Sequence, residues 1–297
     1  MKKFILSSLS LVFFVANAAS SSAFCREVEN EKEKAIETVL KKSEVKNKET
    51  SVSNDDEIAK KRKEIVEYME NMSNVEWSPL ENILYWSPKM GFVYKKGGKY
   101  YGIPYTQLNR NINLGKFCEN LKDADGKKIY VGPYKNGEYM GTDCSMAVIM
   151  AWYLAEGDSV FSLKDTVGMF TNLGKGILAP VGKYRYTGKE QSTSYINENN
   201  GKDVIFKSYE KLKPGDALLT CSYNWNWHSG HVRLVVNVDI ENKTIEYIDQ
   251  AGVDNDGRLY SRNGKSSWRH SKVSFEESFK KGYIAVGLSK LLKTGNT

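Results

Sequence analysis

The stretch Gly141-Thr142-Asp143-Cys144-Ser145-Met146-Ala147-Val148-Ile149-Met150-Ala151-Trp152-Tyr153-Leu154 limits what this chain can fold into more than any other. A tight polar lead-in runs into an apolar segment long enough for about three helical turns. Gly141 permits a sharp turn, and Thr142 or Asp143 carries the side-chain oxygen that caps first-turn N–H groups. The apolar residues point all round rather than to one face, which predicts a buried helix. Cys144 falls in its first turn, where the helix dipole and the free N–H groups favour a thiolate. A single cysteine in a core helix is more often a small packing residue. Chemistry at Cys144 therefore needs a partner elsewhere in the chain.

That partner is histidine. Of the three histidines, two lie in His228-Ser229-Gly230-His231, and Gly230-His231-Val232-Arg233-Leu234-Val235-Val236 reads as a strand with His231 at its mouth. Alternation puts His231, Arg233 and Val235 on one face and turns Val232, Leu234 and Val236 to the core. Glu241-Asn242-Lys243 makes the turn and Thr244 to Gln250 the returning strand. A cysteine–histidine pair needs a third group to orient the imidazole. Asp249 and Gln250 both lie near the end of the returning strand, on opposite faces, so only one of them reaches the ring. A one-residue uncertainty in the turn leaves that choice open. His228 and His231 also form a two-histidine metal candidate, but no third ligand stands nearby and none of the cysteines is spaced as a CxxC. No metal and no cofactor are expected.

Met1-Lys2-Lys3 and the apolar run to Val15, followed by small residues, resemble a secretory signal peptide over 1–23. That run is too short to span a membrane, and no later stretch is long enough. An exported, soluble protein is expected. A chain of 297 residues with four cysteines, Cys25, Cys118, Cys144 and Cys221, is too large to depend on a disulfide scaffold. Pairing of Cys118 with Cys221 would leave Cys144 free. The net charge of +7 suits an anionic wall polymer. No recognition-helix pattern supports nucleic acid as the partner, and the basic residues are scattered among acidic ones.

Residues 25–67 hold no aromatic residue, whereas 68–297 hold 31 of the chain's 35, so the core belongs to the later part. Residues 24–56 read as a charged tether. A single domain follows over 57–297, opening on a helix that carries Ile58, Ile65, Val66 and Met69 inward. Tyr100 to Gln107 reads as an aromatic loop or edge strand, because Pro104 cannot sit in a central ladder. Residues 117–140 look loop-rich, and Phe161 to Leu178 looks helical. Leu212-Lys213-Pro214-Gly215-Asp216 is a turn that launches a strand from Ala217 to Cys221, and Tyr223 to Gly230 reads as a polar-aromatic loop. The loop Gly252 to Lys265 precedes a closing helix and strand, Phe275 to Leu288. A helical first half over an antiparallel second half makes an α+β domain.

Asp143-Cys144-Ser145 at a helix tip, Leu212 to Ala217 opening one strand and Gly230-His231-Val232 opening the next resemble, in order and rough spacing, the NlpC family of cell-wall cysteine peptidases. The arrangement is also similar to CHAP-type amidases, with Asp249-Gln250 in place of their third group. The resemblance covers roughly Tyr100 to Leu288. It implies a papain-like fold and hydrolysis of amide bonds in peptidoglycan peptides, with Cys144, His231 and Asp249 or Gln250 catalytic. It also implies that Tyr105 and Asp143 line the substrate cleft; Ser145 and Trp227 are further candidate substrate-binding residues. Met146 departs from the family's usual glycine after Asp-Cys-Ser, and Gly-Ile-Pro-Tyr replaces its upstream Tyr-Gly-Gly. Two other outcomes fit the same residues: a non-catalytic wall-binding protein that stacks ligands on Tyr101, Tyr105, Trp225 and Trp227, or an enzyme that passes the acyl group to an amine.

Overall fold

A computed structural model describes residues 54–84, 92–135, 138–224, 227–253 and 258–292; the side chains of residues 92, 93, 224 and 227 are not described. The expected signal peptide and residues 24–53 of the expected tether lie outside the described residues. The opening helix α1 (Asn54–Asn74) takes in the last three residues of that tether. It buries Ile65, Tyr68, Met69 and Met72 at the spacing that puts them on one face. Ile58 and Val66 flank that face and are partly buried.

A small four-stranded sheet follows, built from β1 (Glu76–Pro79), β4 (Tyr100–Tyr101), β5 (Leu121–Ala124) and β6 (Lys127–Tyr130) in the order β4-β1-β6-β5. The short strands β2 (Ile83–Leu84) and β3 (Phe92–Tyr94) pair separately. Here the expectation of a loop-rich 117–140 needs correction. The helix α2 (Leu114–Glu119) precedes a hairpin whose turn places Asp125 and Gly126 at positive φ. The hairpin escapes notice because its strands, Leu-Lys-Asp-Ala and Lys-Lys-Ile-Tyr, carry little apolar alternation, and the first is mostly exposed.

The cysteine-bearing helix α3 (Cys144–Glu156) buries eight consecutive residues from Ser145 to Trp152. It lies between α1 and the large sheet, touching β9 (Trp227–Asp239) and β10 (Thr244–Gln250). Full enclosure explains why its apolar residues face every direction. The region expected to be helical from Phe161 to Leu178 is mixed. It contains a 3₁₀ segment (Gly157–Leu163), the short helix α4 (Thr166–Thr171) and then the strand β7 (Leu178–Pro180). Helices α5 (Thr193–Asn200) and α6 (Lys202–Tyr209) lead to the expected turn. There the Asp216 N–H bonds to the Lys213 carbonyl with Pro214 and a positive-φ Gly215 between them.

The large sheet is antiparallel throughout, with order β11-β10-β9-β8-β12-β7. Its remaining strands are β8 (Ala217–Asn224), β11 (Trp268–Ser274) and β12 (Ile284–Leu288). Helices α7 (Phe275–Lys280) and α8 (Ser289–Leu292) complete the described elements. The protein is an α+β molecule. Two further expectations change. The loop expected over Tyr223 to Gly230 is largely taken up by β8 and β9, whose register pairs Asn224 with Trp227. His231 therefore lies inside a long strand, opposite Thr220, rather than at its mouth. The strand β11 was not anticipated, since Arg269, His270, Ser271 and Lys272 lack any apolar rhythm. A polar, lysine-bearing strand is what a sheet edge calls for.

Of the cysteines, Cys221 is a buried free thiol and Cys144 is free, while Cys118 is disulfide-bonded. The Cys118–Cys221 pairing is thereby excluded. Among the described residues no helix is long and apolar enough to cross a membrane.

Candidate active site

Cys144 owes its position to the residues before it. Asp143 is extended (φ −119°, ψ −179°) and caps α3, its Oδ1 accepting from the Met146 N–H and from Ser145 Oγ, both at 2.8 Å. Its Oδ2 takes Nη1 of Arg110 at 2.5 Å. Upstream, Thr142 donates its N–H to the Pro104 carbonyl and accepts from the Thr106 N–H, a bridge that aligns it with Tyr105. Gly141 is dictated by crowding at this crossing. A Cβ there would stand 2.3 Å from the Pro104 carbonyl oxygen.

The histidine is set by the sheet. Gly230 precedes His231 because Thr166 of α4 rests on the strand there; a Cβ at Gly230 would lie 2.3 Å from its Oγ1. The partner of His231 is decided by a bulge. Thr244, Ile245 and Glu246 pair with Asp239, Val238 and Asn237, but Tyr247 and Ile248 pair with Val235 and Leu234, so Val236 has no opposite number. Without that extra residue Gln250 would fall opposite Arg233 and share the face of His231. With it, Asp249 does. His231 Nε2 and Asp249 Oδ2 lie 2.6 Å apart, the carboxylate fully buried and the imidazole about a fifth exposed.

The strand missed in the sequence supplies a further group. Arg269, opposite Asp249 in the β10–β11 ladder, donates Nε to Oδ1 at 2.8 Å and Nη2 to Oδ2 at 2.6 Å. Arg233 is buried instead of lining an open face. It is sandwiched between the rings of Tyr247 and Tyr283, at 4.3 and 4.5 Å, with Nε 3.4 Å from Asp249 Oδ2. Burial alone would push the Asp249 carboxyl up. The hydrogen bonds and charges of His231 and Arg269 outweigh it and hold the group well below the usual carboxylate range.

The two halves meet where the sheet opens. The β9–β10 ladder ends at Leu234–Ile248, and just beyond it the Cys144 sulfur accepts from the backbone N–H of Val232, the residue after His231. The Ser145 N–H also points at the sulfur. Cys144 is partly exposed. The expectation of a stabilised thiolate is overturned. Burial, followed by the charge of Asp143, pushes the thiol up to about 12, and the two N–H donors do not offset that. At neutral pH the resting group is a thiol.

Gln250 stands apart from this cluster. Fully buried on the opposite face, its amide accepts from Thr142 Oγ1 at 2.6 Å and donates to the Ile103 carbonyl at 2.8 Å. It pins the loop that leads to Cys144. Ser145 is buried with its hydroxyl on Asp143, and Asp143 has both oxygens occupied, so neither presents a free polar atom to a ligand. Tyr105 is nearly buried against Gly252, its hydroxyl accepting from Gln107 at 2.9 Å. Trp227 opens β9, and its side chain lies outside the described residues, as does Trp225. His228 and His231, three apart on one strand, point to opposite faces. Among the described residues no group of three or more metal-ligating side chains gathers. No protein-family model, curated protein or solved structure matches the chain.

Proposed function

We propose that this protein is an exported cysteine hydrolase of papain-like architecture that cleaves amide bonds in peptidoglycan peptides. One observation carries the reading: a partly exposed thiol at a helix N-terminus abuts the backbone one residue from a histidine bonded to a buried aspartate. A buried histidine–aspartate pair alone is a common structural device; a free thiol beside it is the nucleophile, base and orienter of acyl transfer. The order of a cysteine helix followed by an antiparallel sheet bearing the histidine supports the papain-like assignment. The apolar leader and the positive charge support export and an anionic wall as the working environment.

The mechanism follows from the resting thiol. With Nε2 held by Asp249, His231 has Nδ1 left to take the Cys144 proton as sulfur attacks the amide carbonyl. The tetrahedral oxyanion is met by the Cys144 N–H at the start of α3. The imidazolium, stabilised by Asp249, then gives its proton to the leaving amine as the C–N bond breaks. Water, deprotonated by the same ring, attacks the thioester carbonyl; the C–S bond breaks and the ring returns the proton to sulfur, restoring the thiol. Mass spectrometry of soluble fragments released from purified peptidoglycan tests this directly. The parent protein should yield peptides with newly formed carboxyl and amino ends, and Cys144→Ala should yield none. Equal release by the variant overturns the assignment, and products joined to an added amine identify acyl transfer instead.

A further inference from the structure

Three basic side chains converge on one buried carboxylate, and they compete for it. Arg269 takes both oxygens of Asp249, Nε donating to Oδ1 at 2.8 Å and Nη2 to Oδ2 at 2.6 Å. His231 Nε2 stands 2.6 Å from the same Oδ2. Arg233 goes without. Only 5% exposed, it has Nε and Nη1 with no hydrogen-bond partner among the described residues, although Nε lies 3.4 Å from Oδ2. Buried donors left empty on a cation are unfavourable, so Arg233 pulls on the carboxylate throughout. The Arg269 fork is planar and grips two oxygens at once, which fixes the plane of the carboxylate as a single donor cannot. Arg269 is itself held from a second side, its guanidinium 5.1 Å from the ring of Tyr260.

We propose that Arg269 is the positioning residue of this site: it turns the Asp249 carboxylate toward His231 against the pull of Arg233, and so keeps the neutral imidazole protonated at Nε2 with Nδ1 bare. The other tautomer has a bare Nε2. It would set that lone pair against a carboxylate oxygen at 2.6 Å, with only Nη2 of Arg269, at 3.4 Å, to donate to it. Nη2 is already engaged by Oδ2 at 2.6 Å, so the fork disfavours that tautomer for as long as it is in place. Without Arg269, Oδ1 loses its partner and the carboxylate swings to the empty donors of Arg233. The ring then exchanges its proton between the two nitrogens. The consequence for turnover rests on the hydrolase reading, in which Nδ1 is the base; the hold on the ring does not.

Nitrogen NMR of the histidine rings in mildly alkaline buffer tests this. The chain has only three histidines, so the His231 signals are identified by their loss in His231→Gln. The parent should show one neutral tautomer, with a slowly exchanging proton on Nε2 and a bare Nδ1. Arg269→Met keeps the aliphatic stem and removes the donors. It should show a proton shared between both nitrogens and exchange with water about tenfold or more faster, and fragment release from peptidoglycan should slow about tenfold or more. Arg269→Lys restores a charge without the fork; it should still exchange faster than the parent, and it carries the test if the methionine variant does not fold. A merely structural ion pair would lower the melting temperature and leave the ring signals as they are. A parent ring that is mixed or protonated at Nδ1 overturns the proposal, as does a folded Arg269 variant with the parent's tautomer and exchange rate. Because the ring is read without turnover, a parent that releases no fragments removes the hydrolase reading and leaves this result standing. An unchanged ring removes the positioning role and leaves fragment release intact.

Discussion

At the scale of single residues, Asp249 organises the candidate site because it serves three basic side chains at once. His231 and both nitrogens of the Arg269 fork bond to it, and Arg233 stands behind, locked between two tyrosines. Asp249→Asn should therefore act twice. Leaving the arginines uncompensated should cost about 3–5 kcal/mol of stability in a denaturant titration. Loss of the ring's orienting charge should lower kcat by roughly 10²- to 10⁴-fold. Gln250→Ala should instead disturb the Cys144 loop without removing the partner of His231. The raised thiol gives a separate test. A group pushed up to about 12 is protonated at neutral pH, so alkylation of Cys144 by iodoacetamide should climb about tenfold per pH unit through the alkaline range. A rate already at plateau near pH 6 would reveal a preformed thiolate. Cys144, His231 and the Asp249/Gln250 pair were all legible in the sequence. Arg269 was not, because its significance lies only in the strand opposite.

Elements decide which of those residues meet. The bulge at Val236 is a single unpaired residue in a ladder of β-branched side chains, and nothing in the local pattern announces it. Yet it exchanges Gln250 for Asp249 on the face of His231, the one choice that periodicity left open. The crossing of the Pro104 loop over Gly141 has a similar character. A glycine before a capping residue reads as a turn, but its φ is not positive; the constraint is the Pro104 carbonyl 2.3 Å from where a Cβ would stand. Gly141→Ala should cost about 1–3 kcal/mol through crowding, and should depress turnover more than that loss implies, since Gly141 lies three residues before the proposed nucleophile Cys144. Thermal melts alongside kcat measurements separate the two effects.

At the scale of the whole molecule, distant segments are tied by a few buried polar bonds. Arg62 of α1 donates to Asp216 Oδ1 at 2.9 Å, to the Pro214 carbonyl at 2.8 Å and to the Leu291 carbonyl at 3.0 Å. The opening helix, the turn before β8 and the closing helix are thus joined through one guanidinium. Arg62→Ala should destabilise by about 3–5 kcal/mol, because it strands a fully buried carboxyl. Acid should weaken the fold through Asp249. A carboxyl held below its ordinary value contributes stability above roughly pH 4 and loses it as pH falls through the folded value. Asp249→Asn should flatten that part of the stability–pH curve.

The sequence alone determined the elements whose signals are local. These are the all-round apolar helix with a thiol in its first turn, the Pro-Gly turn before β8, the hairpin of β9 and β10 and the α+β division. Each follows from spacing, capping or turn chemistry within about a dozen residues. Tertiary structure decided what depends on a neighbour: the bulge that selects Asp249, the polar edge strand that brings Arg269, the ion pair that neutralises Asp143 and the protonated state of Cys144. Register, charge compensation and desolvation are properties of surfaces in contact. They exist only once the chain has folded.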